Sequence, residues 1–157
     1  MPPNLEIMLA ACDAALIIGD PALTLDRSRH IVLDLAEEWH RLTGKPFVFA
    51  FWGVREAALL ELLPGLDLVE IFQQSRDHGL QPRSLQQIAR DWSSQLGISE
   101  DEIQNYLTRN IYYQLDDECL EGMRLFFRYA AECGVIDREL PLRFLQPLAS
   151  PLLSQRV

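Results

Sequence analysis

Residues 12–20 read CDAALIIGD, and this short stretch decides the fold that we predict from the sequence. Its apolar run, residues 14–18, is too short for an independent helix and ends abruptly at Gly19 and Asp20, which favours a short strand covered on both faces. Strands of that kind are typical of parallel sheets flanked by helices. A carboxylate that follows the carboxyl end of such a strand is well placed to contact a ligand.

Two more stretches within the first 55 residues have the composition of strands. Residues 30–33 form a short apolar run, and residues 46–54, PFVFAFWGV, contain four aromatic residues and two valines that fit no helical period. Asn4 is a predicted N-cap for a helix that continues to about Ala11, and Asp34, which follows residues 30–33, is a predicted N-cap for a helix that Gly44 ends. The first 55 residues therefore predict a few, mostly parallel strands.

The remainder of the chain has helical patterns. The spacing of a capping box occurs at Ser84 with Gln87 and again at Ser99 with Glu102, and apolar residues follow each box at intervals of three and four. Asp116 or Asp117 is the predicted cap for the longest helix. We therefore predict an α/β fold with a mainly helical C-terminal region.

Composition and charge exclude several classes of function. The chain has 157 residues, 48% apolar, and a formal net charge of −9, which repels phosphate backbones and anionic lipid headgroups. Its basic residues are scattered, and Lys45 is the only lysine. No apolar run reaches the roughly 18 residues of a membrane span, and the N-terminus lacks the pattern of a signal peptide. These features predict a soluble, cytoplasmic protein that binds neither nucleic acid nor membranes.

The cysteines and histidines show no pattern of a metal site. Cys12, Cys119 and Cys133 are odd in number and lack CxxC spacing, so we predict buried, reduced thiols rather than a disulfide or a metal site. The three histidines have no second ligand at metal spacing. We expect no bound metal.

Four motifs in order carry a resemblance to a known family. They are DAALIIGD at residues 13–20, DLAEEW at 34–39, TGKPFVFAFW at 43–52, and YLTRN at 106–110 before a long helix rich in Leu and Phe. Together they resemble the chorismate dehydratase family, which performs the first step of the futalosine route to menaquinone. The resemblance covers roughly residues 5 to 136.

The resemblance implies a fold and a domain organisation. The family is similar to type II periplasmic binding proteins, which have two α/β lobes and a ligand cleft between them, but its members are cytoplasmic. This chain resembles only the C-terminal portion, so we expect a partial fold in which residues 1–46 end the second lobe. Residues 47–157 would then supply a crossover strand and C-terminal helices of the first lobe. A homodimer formed by exchange, or a complementing N-terminal chain, would supply the rest.

The resemblance also implies a reaction, in which chorismate loses water to give 3-[(1-carboxyvinyl)oxy]benzoate without any cofactor. A ring proton is removed and the 4-hydroxyl departs, so catalysis depends on positioning a dianion and on a base. The base itself is not identified by the sequence. Since donors for the two carboxylates are expected in the N-terminal half, this chain by itself is expected to be inactive. The alternative is a noncatalytic module that binds an aromatic carboxylate.

Four residues are the predicted substrate contacts. Asp20 is placed to accept a hydrogen bond from a substrate hydroxyl, or it serves only to cap the turn at Pro21. Gly19 lets a ligand approach the backbone, although a plain turn explains it equally well. Phe49 and Trp52 are candidates for the wall of a pocket for an aromatic ligand, and packing in the core is the competing interpretation.

Overall fold

The computed structural model describes residues 4–61, 65–139 and 141–147 of the chain. Within these ranges the regular elements are eight α-helices, one 3₁₀ turn at Arg27–Arg29 and one π-helical turn at Tyr106–Asn110. The helices are α1 (Leu5–Ala11), α2 (Asp20–Leu23), α3 (Leu35–Thr43), α4 (Glu56–Leu59), α5 (Leu68–Gly79), α6 (Pro82–Leu96), α7 (Glu100–Asn105) and α8 (Asp117–Glu132).

Side-chain caps start three helices where the sequence predicts them. The side chain of Asn4 accepts from the first turn of α1, that of Asp34 from α3, and that of Asp116 from α8. Each carboxylate or amide oxygen satisfies a main-chain donor that has no partner within its own helix. Gly44 ends α3 with a φ of 68°, a conformation that glycine adopts without strain.

One of the two predicted capping boxes is confirmed and the other is wrong. Ser99 accepts from the main chain of Glu102, and the Glu102 carboxylate accepts from the main chain of Ser99, at the start of α7. The predicted box at Ser84 is absent because α6 already begins at Pro82. Proline suits the first helical position, where its missing N–H would have no intrahelical partner.

The predicted α/β fold with few, mostly parallel strands is wrong for this structure. Residues 14–18, 30–33 and 46–54 lie outside any helix, as predicted, but no described residue forms a strand. A strand exists only when its N–H and C=O groups pair with a neighbouring chain segment. Within the described part of the chain, the main chains of residues 14–18, 31–33 and 47–54 make no such hydrogen bond. These segments therefore have the composition of strands but no neighbouring segment, among the described residues, with which they pair.

The chain divides into two compact units. The first, Met1–Val32 with Leu80–Tyr112, contains the packing of α6 against α7. Ala89 of α6 and Ile103 of α7 are its buried apolar residues. The predicted division into lobes at residues 1–46 and 47–157 stays a prediction.

The second unit, Leu33–Gly79 with Tyr113–Val157, has its core on α8. Cys119 and Met123 are buried there. The Trp39 ring of α3 meets the rings of Phe47 and Phe126 edge-on, with centroid distances of 5.8 Å to each. This aromatic cluster joins α3, the segment that follows it and α8.

The prediction of three buried thiols is right for only one of them. Cys119 is buried on α8, whereas Cys12 and Cys133, each directly after the last residue of a helix, are exposed. All three are free cysteines. None of the helices described is long and apolar enough to cross a membrane.

Candidate functional site

The first candidate site is the turn at Gly19 and Asp20 in the first unit. Gly19 has a φ of 71°, which favours glycine, and its carbonyl accepts from the N–H of Ala22 at 2.9 Å. Asp20 is the first residue of α2 and is exposed. Its carboxylate makes no hydrogen bond or ion pair with a described residue, and it does not cap α2. The carboxylate is therefore available to accept a hydrogen bond from a ligand.

The second candidate site is the aromatic segment, residues 46–54, in the second unit. Phe49 is 74% exposed and contacts Phe47 at a centroid distance of 4.9 Å. Trp52 is 76% exposed and stacks on Phe72 of α5, with centroids 4.7 Å apart and planes inclined by 25°. An exposed pair of stacked rings offers a flat apolar surface to an aromatic ligand.

The start of the aromatic segment is held closely against the helices of its unit. The indole N–H of Trp39 donates to the carbonyl of Pro46 at 3.2 Å. On the other side, Gly122 of α8 lies so close that a Cβ there would be 2.3 Å from the same carbonyl oxygen. Residue 122 is therefore restricted to glycine by the approach of the Pro46 backbone.

A cavity of about 390 Å³ lies beside this contact. Its lining is mostly charged and comprises Lys45, Glu121, Arg124, Leu125, Arg128 and Glu139. Arg124 and Arg128 are four residues apart, which places them on one face of α8. The two carboxylates offset most of the positive charge of the three basic side chains.

One ion pair dominates the electrostatics of the cavity. The Lys45 ammonium donates to the Glu121 carboxylate at 2.5 Å. This hydrogen bond, with the attraction between the charges, holds the pKa of Glu121 below and the pKa of Lys45 above its ordinary value. Lys45 and Glu121 neutralise each other, so Lys45 is not available to bind an anion. The ion pair instead connects the segment after α3 with α8.

The YLTRN motif has an unusual backbone. Tyr106–Asn110 forms a π-helical turn directly after α7, and the hydroxyl of Thr108 donates to the carbonyl of Gln104 at 2.7 Å. Wide turns of this type are rare and frequently mark functional sites. One of the four motifs that carry the family resemblance therefore lies on such a turn.

Two of the four predicted contacts lie in each compact unit. Gly19 adjoins Asp20 in the first unit, while Phe49 and Trp52 belong to the exposed aromatic segment of the second, and their role as substrate contacts stays a prediction. Phe72, which stacks with Trp52, is not among the predicted contacts. Its position on the apolar face of α5 is the sequence feature that could have identified it. Among the residues that the structure describes, no three His, Cys, Asp or Glu side chains are grouped so as to hold a metal ion.

Comparisons with known proteins give a clear family. No solved structure matches the chain. A family model described as menaquinone biosynthesis matches residues 1–132, which is most of the 157-residue chain and includes all four motifs. The resemblance to the chorismate dehydratase family is thereby confirmed. The chain belongs to the menaquinone biosynthesis family.

Proposed function

We propose that this chain takes part in the conversion of chorismate to 3-[(1-carboxyvinyl)oxy]benzoate, a hydro-lyase reaction of the futalosine route. The observation that carries the proposal is the family match over residues 1–132. In the reaction a ring proton passes to a base and the 4-hydroxyl leaves as water, so the ring becomes aromatic. The new aromatic ring supplies the driving force, and the protein supplies position and hydrogen bonds.

The free carboxylate of Asp20 is the side chain best suited to the substrate in the first unit. It is exposed and follows a glycine whose turn leaves the backbone open, since a Cβ at Gly19 would meet nothing within 4 Å. We propose that Asp20 accepts a hydrogen bond from a substrate hydroxyl. Phe49 and Trp52 would contribute apolar contacts with the ring.

The chain by itself is expected to be inactive. All four proposed contacts are exposed, so bulk water would reach the substrate and weaken every electrostatic interaction with it. We propose that a complementing chain encloses them. The test is to incubate chorismate with the purified chain, alone and together with the N-terminal half of a full-length family member, and to follow the aromatic product. We expect the aromatic product only in the sample that contains both chains. The absence of product from both samples would overturn the proposal.

The role of Asp20 is tested in the active mixture. Asp20→Asn keeps the shape of the side chain and removes its charge, and loss of one charge-assisted hydrogen bond should lower kcat/KM at least about tenfold. Asp13→Asn is the matched control, because Asp13 is an exposed carboxylate at the other end of residues 13–20. Equal kcat/KM for the two variants would remove Asp20 from the site.

A second candidate function is noncatalytic binding of an aromatic carboxylate, and the exposed stack of Trp52 on Phe72 favours it. Titration of the chain with benzoate, followed by tryptophan fluorescence, should give saturable quenching that Trp52→Phe removes. Trp92→Phe is the control, since Trp92 lies on α6 in the other unit. Quenching that persists in Trp52→Phe, or no quenching at millimolar benzoate, would exclude binding at this stack.

We also propose that the protein acts in the cytoplasm. The support is the free state of its cysteines, two of which are exposed. Exposed thiols persist in a reducing compartment and are readily oxidised outside it. Location of a fluorescent fusion outside the cytoplasm would contradict this.

A further inference from the structure

Beyond Pro46, the main chain of the aromatic segment, residues 46–54, has no hydrogen-bond partner among the described residues. In the part of the chain that the structure describes, no main-chain N–H or C=O group of residues 47–54 takes part in a hydrogen bond. Only the carbonyl of Pro46 has a partner, the indole of Trp39. The segment therefore presents a row of eight amides and their carbonyls, which is the feature that lets a sheet edge recruit another extended chain.

Three aromatic side chains of the segment are exposed. Phe49, Phe51 and Trp52 are 74%, 56% and 76% exposed, while Phe47 is held by the cluster around Trp39. Residues 46–54 contain no ionisable side chain, although the chain as a whole has a net charge of −9. An uncharged apolar stretch on an acidic protein is a place where two copies approach without direct repulsion of like charges.

We propose that residues 46–54 of two copies of this chain pair with each other in an antiparallel arrangement about a twofold axis. The described residues of the single chain form no sheet, and the pairing is a property of the dimer. An axis at Ala50 sets Phe49 opposite Phe51 and Val48 opposite Trp52. Aromatic pairs and pairs of an aromatic with a β-branched residue are favourable across two strands. The same segment supplies both sides, as a twofold interface requires.

The area available suits an interface of this kind. At 150–250 Å² per aromatic side chain, the exposed fractions of Phe49, Phe51 and Trp52 correspond to roughly 300–500 Å² on each copy. A standard interface buries about 800 Å² per partner. Three side chains therefore provide about half of that area before the main chain and the neighbouring residues are counted.

The test combines the mass in solution with the exchange of the main-chain amides. Light scattering over a series of micromolar concentrations should show the mass rising from the 18.0 kDa of one chain towards twice that value. Hydrogen exchange at the two ends of the series should show slower exchange in residues 47–54 at high concentration. The proposal does not depend on the chorismate reaction, and both measurements are made without chorismate.

Ala50→Pro removes the amide at the centre of the pair and should raise the dimer Kd about tenfold or more. Ala50→Ser keeps the amide and is the matched control, and circular dichroism checks that both variants keep the helices. The proposal is overturned by a mass that stays monomeric, by a dimer whose residues 47–54 exchange as fast as in the monomer, or by an unchanged Kd in folded Ala50→Pro. If neither variant folds, the concentration dependence of exchange in the unmodified chain still decides.

Discussion

Replacement of Gly122 by alanine tests the contact that anchors the aromatic segment. Gly122 lies within α8, where alanine normally favours the helix by about 1 kcal/mol. The added Cβ, however, would be 2.3 Å from the carbonyl oxygen of Pro46, and ordinary contact begins at 3.4 Å. Residue 122 and the Pro46 backbone would have to move apart by about 1.1 Å, the difference between these distances. Propensity and packing therefore oppose each other at this position.

The packing effect is expected to be the larger one. Overpacking of a close contact costs about 1–3 kcal/mol, and moving the Pro46 carbonyl also weakens its hydrogen bond from Trp39, worth about 1 kcal/mol. After subtraction of the gain in helix propensity, the net loss of stability is about 2 kcal/mol. For a chain of this length that corresponds to a fall in Tm of about 4–8 °C.

The assay is thermal unfolding monitored by circular dichroism. The indole N–H signal of Trp39 in an NMR spectrum serves as a local readout. Gly79→Ala is the matched control, because Gly79 is also helical and a Cβ there would meet nothing within 4 Å. Gly79→Ala should leave Tm unchanged or raise it. If Gly122→Ala behaves like this control and leaves the Trp39 signal in place, the close approach of Pro46 is refuted.

Two further predictions concern thiols and charges. Cys12 and Cys133 should react quickly with a disulfide reagent, whereas Cys119 should react slowly because it is buried. Burial is also the largest cause of the raised pKa of the Cys119 thiol, which lowers its thiolate fraction. If all three thiols react equally fast, the burial of Cys119 is contradicted. The ion pair of Glu121 with Lys45 should stabilise the protein above the ordinary Glu pKa of 4.5, and this contribution should be lost as the pH falls through the lowered pKa of Glu121. In Glu121→Gln, Tm should therefore fall less steeply as the pH is lowered below 4.5. If Tm falls as steeply as in the unmodified chain, the ion pair does not stabilise the protein.

The helix boundaries were largely predictable because their causes are local. Asn4, Asp34 and Asp116 cap helices through hydrogen bonds to residues two or three positions away, so the sequence contains both partners. The false box at Ser84 shows the limit of such patterns, since a proline two residues earlier already starts the helix. The exposure of Cys12 and Cys133 was missed because burial depends on what packs against a residue.

The candidate site was predictable only in part. Asp20 and Trp52 were named from composition and position, and the structure shows both to be accessible. The stack of Trp52 on Phe72 joins residues 20 positions apart, and the contact of Gly122 with Pro46 joins residues still farther apart in the chain. No local pattern encodes such distances.

The sequence by itself determined most of the longer helices, the caps at Asn4, Asp34 and Ser99, and the family, since these depend on neighbouring residues and on ordered motifs. Only the tertiary structure decided what becomes of the apolar stretches that lack helical period. CDAALIIGD and PFVFAFWGV both have the composition of strands, yet neither is paired within the described residues. The physical reason is that a helix satisfies its hydrogen bonds within one segment, whereas a strand requires a second segment to supply them.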